Sequence, residues 1–212
     1  MIDPDPLLES QLKNLLGQTE LSIEQQSISQ LVVYVDLLHK WNKTYNLTAI
    51  KDRQQMLTIH IADSLVVSPY LKHNRYIDVG TGAGLPGIPL AIYHPNKQFV
   101  LLDALGKRIR FLKQVVYELG LKNVTLVQSR VEVYQPDKHF DGILSRGFAS
   151  LKDMLHWCQH LVDCTGEFLA LKGQLNDAEL SQIPSGFTVR HNIPLQVPEL
   201  IGKRHLVIFS KT

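Results

Sequence analysis

The feature that most restricts the fold is Tyr76-Ile77-Asp78-Val79-Gly80-Thr81-Gly82-Ala83-Gly84-Leu85-Pro86-Gly87, an apolar run followed by three glycines at alternate positions and a helix start. Glycine has no Cβ, so it adopts positive φ readily and lets a ligand lie against the backbone. The helix start beyond the turn offers unpaired N–H groups to an anion. Pro86 suits a first helical turn, where its missing N–H has no partner to lose, and Pro89 stands at the limit of that tolerance. Such a turn belongs to sheets that bind ligands at the carboxyl ends of their strands. Asp103 closes the next apolar run, Gln98–Asp103, where its carboxylate can accept both hydroxyls of a ribose.

These features serve a nicotinamide dinucleotide and S-adenosylmethionine equally, and the later runs discriminate. Val124–Gln128 leads into Ser129-Arg130-Val131-Glu132, placed so that Val131 flanks an adenine ring and backbone groups at Val131 and Glu132 read its edge. Gly142–Ser145 ends at Arg146-Gly147, which puts Arg146 in the site region. A dehydrogenase usually continues into a substrate domain, for which the sequence leaves no room.

Short strand-like runs at Tyr76–Val79, Gln98–Asp103, Val124–Gln128, Gly142–Ser145 and Glu167–Lys172 alternate with helical stretches such as Arg108–Leu119 and Leu151–Leu161. Parallel strands need such crossovers, so the pattern predicts a doubly wound α/β sheet. Phe187–Pro194 and His205–Lys211 lack a helix between them and are expected to pair antiparallel. Before the sheet, Leu12, Leu15, Leu16, Ile28, Leu31, Val32, Val35 and Leu38 recur at helical spacing. The boundary falls after residue 72, giving an N-terminal helical subdomain over 1–72 and a second domain over 73–212. Ser22 is the expected cap of the second helix, Trp41–Ile50 reads as a loop, and a short helix follows near Gln54–Val67.

With 212 residues, 44% hydrophobic and 20% charged, the chain is an ordinary globular one with enough apolar residues for a core. No apolar run reaches the roughly 18–20 residues of a membrane helix, and the acidic, proline-containing start is unlike a signal peptide. Two cysteines, Cys158 and Cys164, make no disulfide framework, so a cytoplasmic location is expected. His156, His160 and Cys164 recur at helical spacing, but a fourth metal ligand is not evident and no metal site is expected. The net charge of +2 is too small to attract nucleic acid as a whole, so any RNA binding must come from local clusters. One is Lys107, Arg108, Arg110 and Lys113; another gathers Arg130, Arg146, Lys172, Lys203 and Arg204 near the ends of strand-like runs.

Taken together, Asp78–Leu90, Leu101-Leu102-Asp103 with Lys107-Arg108, Ser129–Glu132, Ser145–Ala149 and Leu171-Lys172-Gly173 resemble the bacterial RsmG (GidB) family. Trp41-Asn42, Asn46-Leu47-Thr48, His60–Leu65 and Lys203-Arg204-His205 carry the same resemblance, which spans residues 37–210. Ala83 stands where some members have proline. The resemblance implies a class I S-adenosylmethionine-dependent methyltransferase fold, Rossmann-like, with a mostly parallel seven-stranded sheet whose last strand is antiparallel. It implies methyl transfer from S-adenosyl-L-methionine to N7 of a guanine, guanine 527, in 16S rRNA of the small ribosomal subunit. Cofactor contacts carried over by motif are Gly80, Leu85, Val131, Glu132 and Arg146, to which the turn adds Gly82 and Gly84 and the strand position adds Asp103.

Guanine N7 carries an in-plane lone pair, so no general base is expected; Arg146 and Lys172 are the expected positioning residues. Lys172, Lys203 and Arg204 are the expected RNA contacts, Trp41 or Tyr45 a possible stacking face, and His60 and Asp63 supports for the N-terminal segment. The expected partner is 16S rRNA or the small subunit, with neither membrane nor DNA, and the expected state is a monomer. A methyltransferase for another RNA and a non-catalytic ribosome-assembly factor are the alternatives.

Overall fold

The N-terminal helices differ in how their ends are satisfied: a side chain caps the start of the first, and backbone bonds close its end. The computed structural model describes residues 3–175 and 177–212. Helix α1 (Pro6–Leu16) begins at Asp5, whose carboxylate accepts from Leu7 N at 3.0 Å, and it buries Leu8, Leu12, Leu15 and Leu16. Helix α2 (Gln25–Tyr45) has Glu24, not Ser22, at its N-cap position, with no side-chain cap bond. It also runs through much of the expected loop. Trp41 and Tyr45, one turn apart, stack with centroids 5.2 Å apart, and Asn46 ends the helix at φ 48°. The asparagine that breaks the apolar period, Asn42, is a buried staple: it accepts from Thr48 N at 2.9 Å and donates to Ile50 O at 3.2 Å.

Helix α3 (Arg53–Met56), capped by Asp52, runs into a π-helical turn over Leu57–Ala62 and on into α4 (Asp63–Leu65). A 3₁₀ turn at Ser68–Tyr70 leads to the sheet.

The strands are β1 (Arg75–Val79), β2 (Gln98–Asp103), β3 (Val124–Gln128), β4 (Phe140–Arg146), β5 (Val162–Lys172), β6 (Phe187–Leu195) and β7 (Arg204–Lys211). Between them lie α5 (Gly87–Tyr93), α6 (Gly106–Leu119), α7 (Leu151–Cys158) and α8 (Asp177–Leu180). The sheet order is β3-β2-β1-β4-β5-β7-β6. Strands β1 to β5 pair in parallel, and β7 lies antiparallel between β5 and β6. Pro194 is accommodated because β6 is an edge strand. Strand β5 begins at Val162, earlier than its apolar pattern indicates, because Asp163, Cys164 and Thr165 are exposed. Cys164 is therefore on a strand, while His156 lies on α7 and His160 in the 3₁₀ turn after it, so the three share no helical face.

Alternate residues of β1, β2, β4, β5 and β7 bury into opposite layers. Tyr76, Phe99, Leu101, Leu144 and Leu169 join α5, α6 and the N-terminal helices in one cluster. Ile77, Val79, Val100, Ile143, Phe168 and Phe209 pack with α7 in the other. Residues before 72 thus share a core with one sheet face.

That packing reaches the glycine turn, since the buried Tyr34 hydroxyl of α2 donates to Ala83 O at 2.8 Å. Tyr34→Phe removes the donor and leaves a buried carbonyl unpaired. It is expected to lower unfolding free energy by about 1–2 kcal/mol in urea titration. An unchanged midpoint and slope would show that the bond contributes nothing to holding the turn.

Candidate functional site

The glycine turn is clamped from both sides by buried carboxylates. Gly80 and Thr81 donate their N–H groups to Leu102 O at 2.9 and 3.1 Å, anchoring the turn to β2. Asp103, 2% exposed, accepts from Gly82 N (2.9 Å), Leu105 N (2.9 Å) and Arg108 Nη1 (3.0 Å). On the other side Asp78 Oδ2 accepts from Thr81 Oγ1 (2.6 Å) and Gly87 N (2.9 Å), while its Oδ1 is buried without a partner. Burial pushes Asp78 up to about 6, against the opposing pull of Thr81, Gly87 and Arg146.

The three glycines do different work. All have positive φ, at 67°, 61° and 93°. A Cβ at Gly82 would project into nearly open space, whereas one at Gly84 would stand 2.6 Å from Ile88 Cγ1 and 2.7 Å from Leu112 Cδ2. Gly84 accordingly serves helix packing and does not line the cavity above the turn. The helix start departs from expectation as well. Helix α5 begins at Gly87 with Pro86 as its N-cap; Gly87 N is taken by Asp78, Ile88 N bonds Gly84 O, and Leu90 N bonds Pro86 O. An anion finds no free donor there.

That cavity has a volume of about 620 Å³, within the usual range for small-molecule sites. Gly80, Gly82, Leu85, Asp103, Val131, Glu132 and Arg146 all line it, so the structure gathers every other expected cofactor residue into one place. Val131 is a buried wall, and Glu132 and Arg130 are exposed at the rim. Phe148 and Trp157 also line it, edge to face at 5.9 Å between centroids. Sequence reading missed both, because one follows β4 and the other sits on α7; the only signal was an aromatic directly after Arg146-Gly147. Trp41 and Tyr45 are elsewhere: they border a separate groove with Gln114 and Glu118, and Trp41 packs on Phe111, so they offer no stacking face to this cavity.

A second cavity of about 440 Å³ adjoins the first, and His60, Arg146 and Gly147 line both. Asp63 joins two arginines at its edge: Oδ2 accepts from Arg146 Nη1 at 3.0 Å and Oδ1 from Arg204 Nε at 2.8 Å. Arg146 also donates to Ile59 O at 3.3 Å. Lys172 pairs with Glu179 at 2.6 Å on the same wall. Of the three basic residues expected to meet RNA, Lys172 and Arg204 thus face inward and are held by carboxylates, and Lys203 is exposed. Arg110 and Lys113 are exposed on α6.

His60 is buried, contacts Thr48 Oγ1 through Nε2 at 2.9 Å, and has no partner at Nδ1. Burial, aided by the Arg146 charge, lowers its pKa to about 4, so its ring is neutral at pH 7. Burial pushes the Cys158 thiol up to about 12. Among the described residues no group of three or more His, Cys, Asp or Glu is arranged to hold a metal ion, and no helix is long and apolar enough to cross a membrane.

Residues 27–207 match the GidB family, described as rRNA small subunit methyltransferase G. The chain is 58% identical over 203 residues to the ribosomal RNA small subunit methyltransferase G of Photobacterium profundum, covering 96% of this chain and 98% of that protein. It is 58% identical over 201 residues to the protein of the same name from Shewanella pealeana, covering 95% and 97%. Among solved structures it is similar to TrmN from Thermus thermophilus (TM-score 0.56, 19% identity, 71% of this chain and 48% of that one). It is also similar to the glycopeptide N-methyltransferase MtfA complexed with S-adenosyl-L-homocysteine (TM-score 0.61, 11% identity, 72% and 90%). The fold is the Rossmann-like one of class I methyltransferases, with its mostly parallel seven-stranded sheet.

The raised pKa of Asp78 has a measurable consequence. A carboxyl whose folded pKa lies above its ordinary 3.8 contributes stability that is fully present below about 4 and is lost as pH rises through about 6. Asp78→Asn keeps an acceptor for Thr81 and Gly87 without a charge. The variant's unfolding free energy relative to the parent is expected to rise between pH 4 and pH 7 by up to about 3 kcal/mol in ligand-free urea titrations. A difference that does not change with pH would mean that Asp78 carries its charge at no cost.

Proposed function

This chain belongs to the GidB family, rRNA small subunit methyltransferase G, and from that premise we propose that it transfers a methyl group from S-adenosyl-L-methionine to N7 of a guanine in 16S rRNA of the small ribosomal subunit. The target that the family resemblance implies is guanine 527. The observation that carries this reading is the pair of adjoining cavities: one built around buried Asp103, the other lined by Arg146, Lys172 and Arg204, with His60, Arg146 and Gly147 lining both.

When bound, the cofactor supplies an electrophilic methyl on a sulfonium. The chain's own residues bind and orient. In this reading Val131 flanks the adenine, Glu132 and its backbone lie at the adenine edge, Asp103 accepts from the ribose hydroxyls, Gly82 and Leu85 let the cofactor lie close to the turn, and Gly80, lacking a Cβ, makes room for the Phe148 ring beside it. Phe148 and Trp157 close the apolar side and exclude water. Guanine N7 needs no deprotonation, which agrees with the lack of basicity of His60. Alignment at near-attack distance is then the main contribution. Arg146 stands at the boundary between the cavities, and a bare cation there would oppose the positive charge arriving on the guanine. Its ion pair with Asp63 offsets that charge while leaving N–H donors for the base or the cofactor.

Residues 73–212 form the transfer domain in this account, and residues 1–72 supply His60 and Asp63 to the second cavity. The exposed Lys203 and Arg130 suit phosphates, while Lys172 and Arg204 work deeper in. The enzyme acts as a cytoplasmic monomer on the ribosomal particle or its RNA.

Small subunits from cells lacking the modification, incubated with the protein and methyl-labelled S-adenosylmethionine, are expected to take up label in 16S rRNA. Borohydride reduction and aniline treatment should then cleave the strand at guanine 527, because an N7-methylated guanine is open to this cleavage. Labelling of transfer RNA instead, or label in 16S rRNA that resists cleavage, would contradict the proposal. No labelling at all would favour an assembly factor.

A further inference from the structure

We propose that the second cavity receives the target base and that Asp63 is its specificity-determining residue, accepting hydrogen bonds from N1–H and the N2 amino group of guanine; the proposal rests on the function argued above. The cavity meets the cofactor cavity along His60, Arg146 and Gly147, so a base held in it can present one edge to the transferable methyl. Its volume of about 440 Å³ is adequate for a purine nucleotide. N7 lies on the edge of the duplex that side chains cannot enter in A-form RNA, so the guanine must leave its stack and needs a pocket of this kind.

The chemistry of the wall selects the base. Arg146 Nη1 and Asp63 Oδ2, 3.0 Å apart, set a donor beside an acceptor. Guanine carries the complementary order along one edge, with O6 accepting and N1–H and N2–H₂ donating. Adenine carries the reverse, an N6 donor beside an N1 acceptor, and would set its N1 against a buried carboxylate. Each Asp63 oxygen is engaged by one arginine, and a carboxylate offers about four lone-pair positions, so acceptance from two guanine donors remains open.

One further observation marks this wall as a functional site. Asp63 directly follows the π-helical turn Leu57–Ala62. A π-turn holds one more residue than an α-turn, which rotates the next part of the helix by about 100° and is a distortion frequent at functional sites. Here it directs the carboxylate between Arg146 and Arg204 instead of along the regular face of the helix. The charges balance accordingly: Asp63 offsets one of its two arginines and Glu179 offsets Lys172, leaving a net positive wall suited to the phosphate of an extruded nucleotide.

The test removes one functional group from each partner. Small subunits are reconstituted on 16S rRNA carrying guanosine or inosine at the target; inosine keeps O6, N1–H and N7 and lacks only the N2 amino group. Reaction of both RNAs with dimethyl sulfate corrects for intrinsic N7 reactivity. The parent protein is expected to prefer guanosine by at least tenfold in kcat/KM. Asp63→Asn should fall at least a hundredfold on guanosine, lose that preference to within twofold, and keep its S-adenosylhomocysteine affinity. Equal kcat/KM of the parent on both substrates overturns the proposal, and this arm decides alone if the variant does not fold. An Asp63→Asn variant that falls by the same factor on both substrates also overturns it, since Asp63 would then only hold the arginines. Failure of the parent to methylate the guanosine substrate instead overturns the underlying function.

Discussion

The site depends on one carboxylate. Asp103 sits at the carboxyl end of β2 with 2% of its surface exposed and gathers donors from three places: the glycine turn, the start of the connection to α6, and α6 itself through Arg108. An unpaired charge so deeply buried would be costly, and three hydrogen bonds, one of them from the Arg108 guanidinium, offset that cost. Those bonds in turn fix where Gly82 lies and therefore where the cavity opens. Asp78 performs the matching task one strand away, at the price of a raised pKa and an oxygen with no partner.

The N-terminal helices support the site in two ways. They bury leucines and valines into one face of the sheet, and Tyr34 hydrogen-bonds the turn from that side. They also bring Ile59 O and the Asp63 carboxylate against Arg146 and Arg204, residues far later in the chain. A sheet alone would leave the first cavity without Leu47, Thr48 and His60 and the second without Ile59, His60 and Asp63.

How much of this is legible in the sequence depends on which interactions are local. Strands β2 and β3 fall on their expected limits because their apolar runs end at polar residues. The pairing of β6 with β7 follows from the absence of a helix between them. The end of α2 departs from its sequence pattern because Asn42 looks like a helix breaker until its partners Thr48 and Ile50 are seen. The anion site expected at α5 fails for a similar reason, since the Asp78 carboxylate takes the Gly87 donor. Gly84 shares the spacing of Gly80 and Gly82, yet its neighbours Ile88 and Leu112 give it a packing role. Phe148 and Trp157 meet only through tertiary structure, and so do the ion pairs that turn Lys172 and Arg204 inward.

Because so much converges on Asp103, titration calorimetry of S-adenosylhomocysteine into the parent and into Asp103→Ala is the most direct test. The parent is predicted to bind, and the variant to lose about 1–3 kcal/mol, the range for hydrogen bonds to a charged group. Unchanged affinity in an Asp103→Ala protein that retains cooperative unfolding would place the cofactor away from this carboxylate and contradict the site.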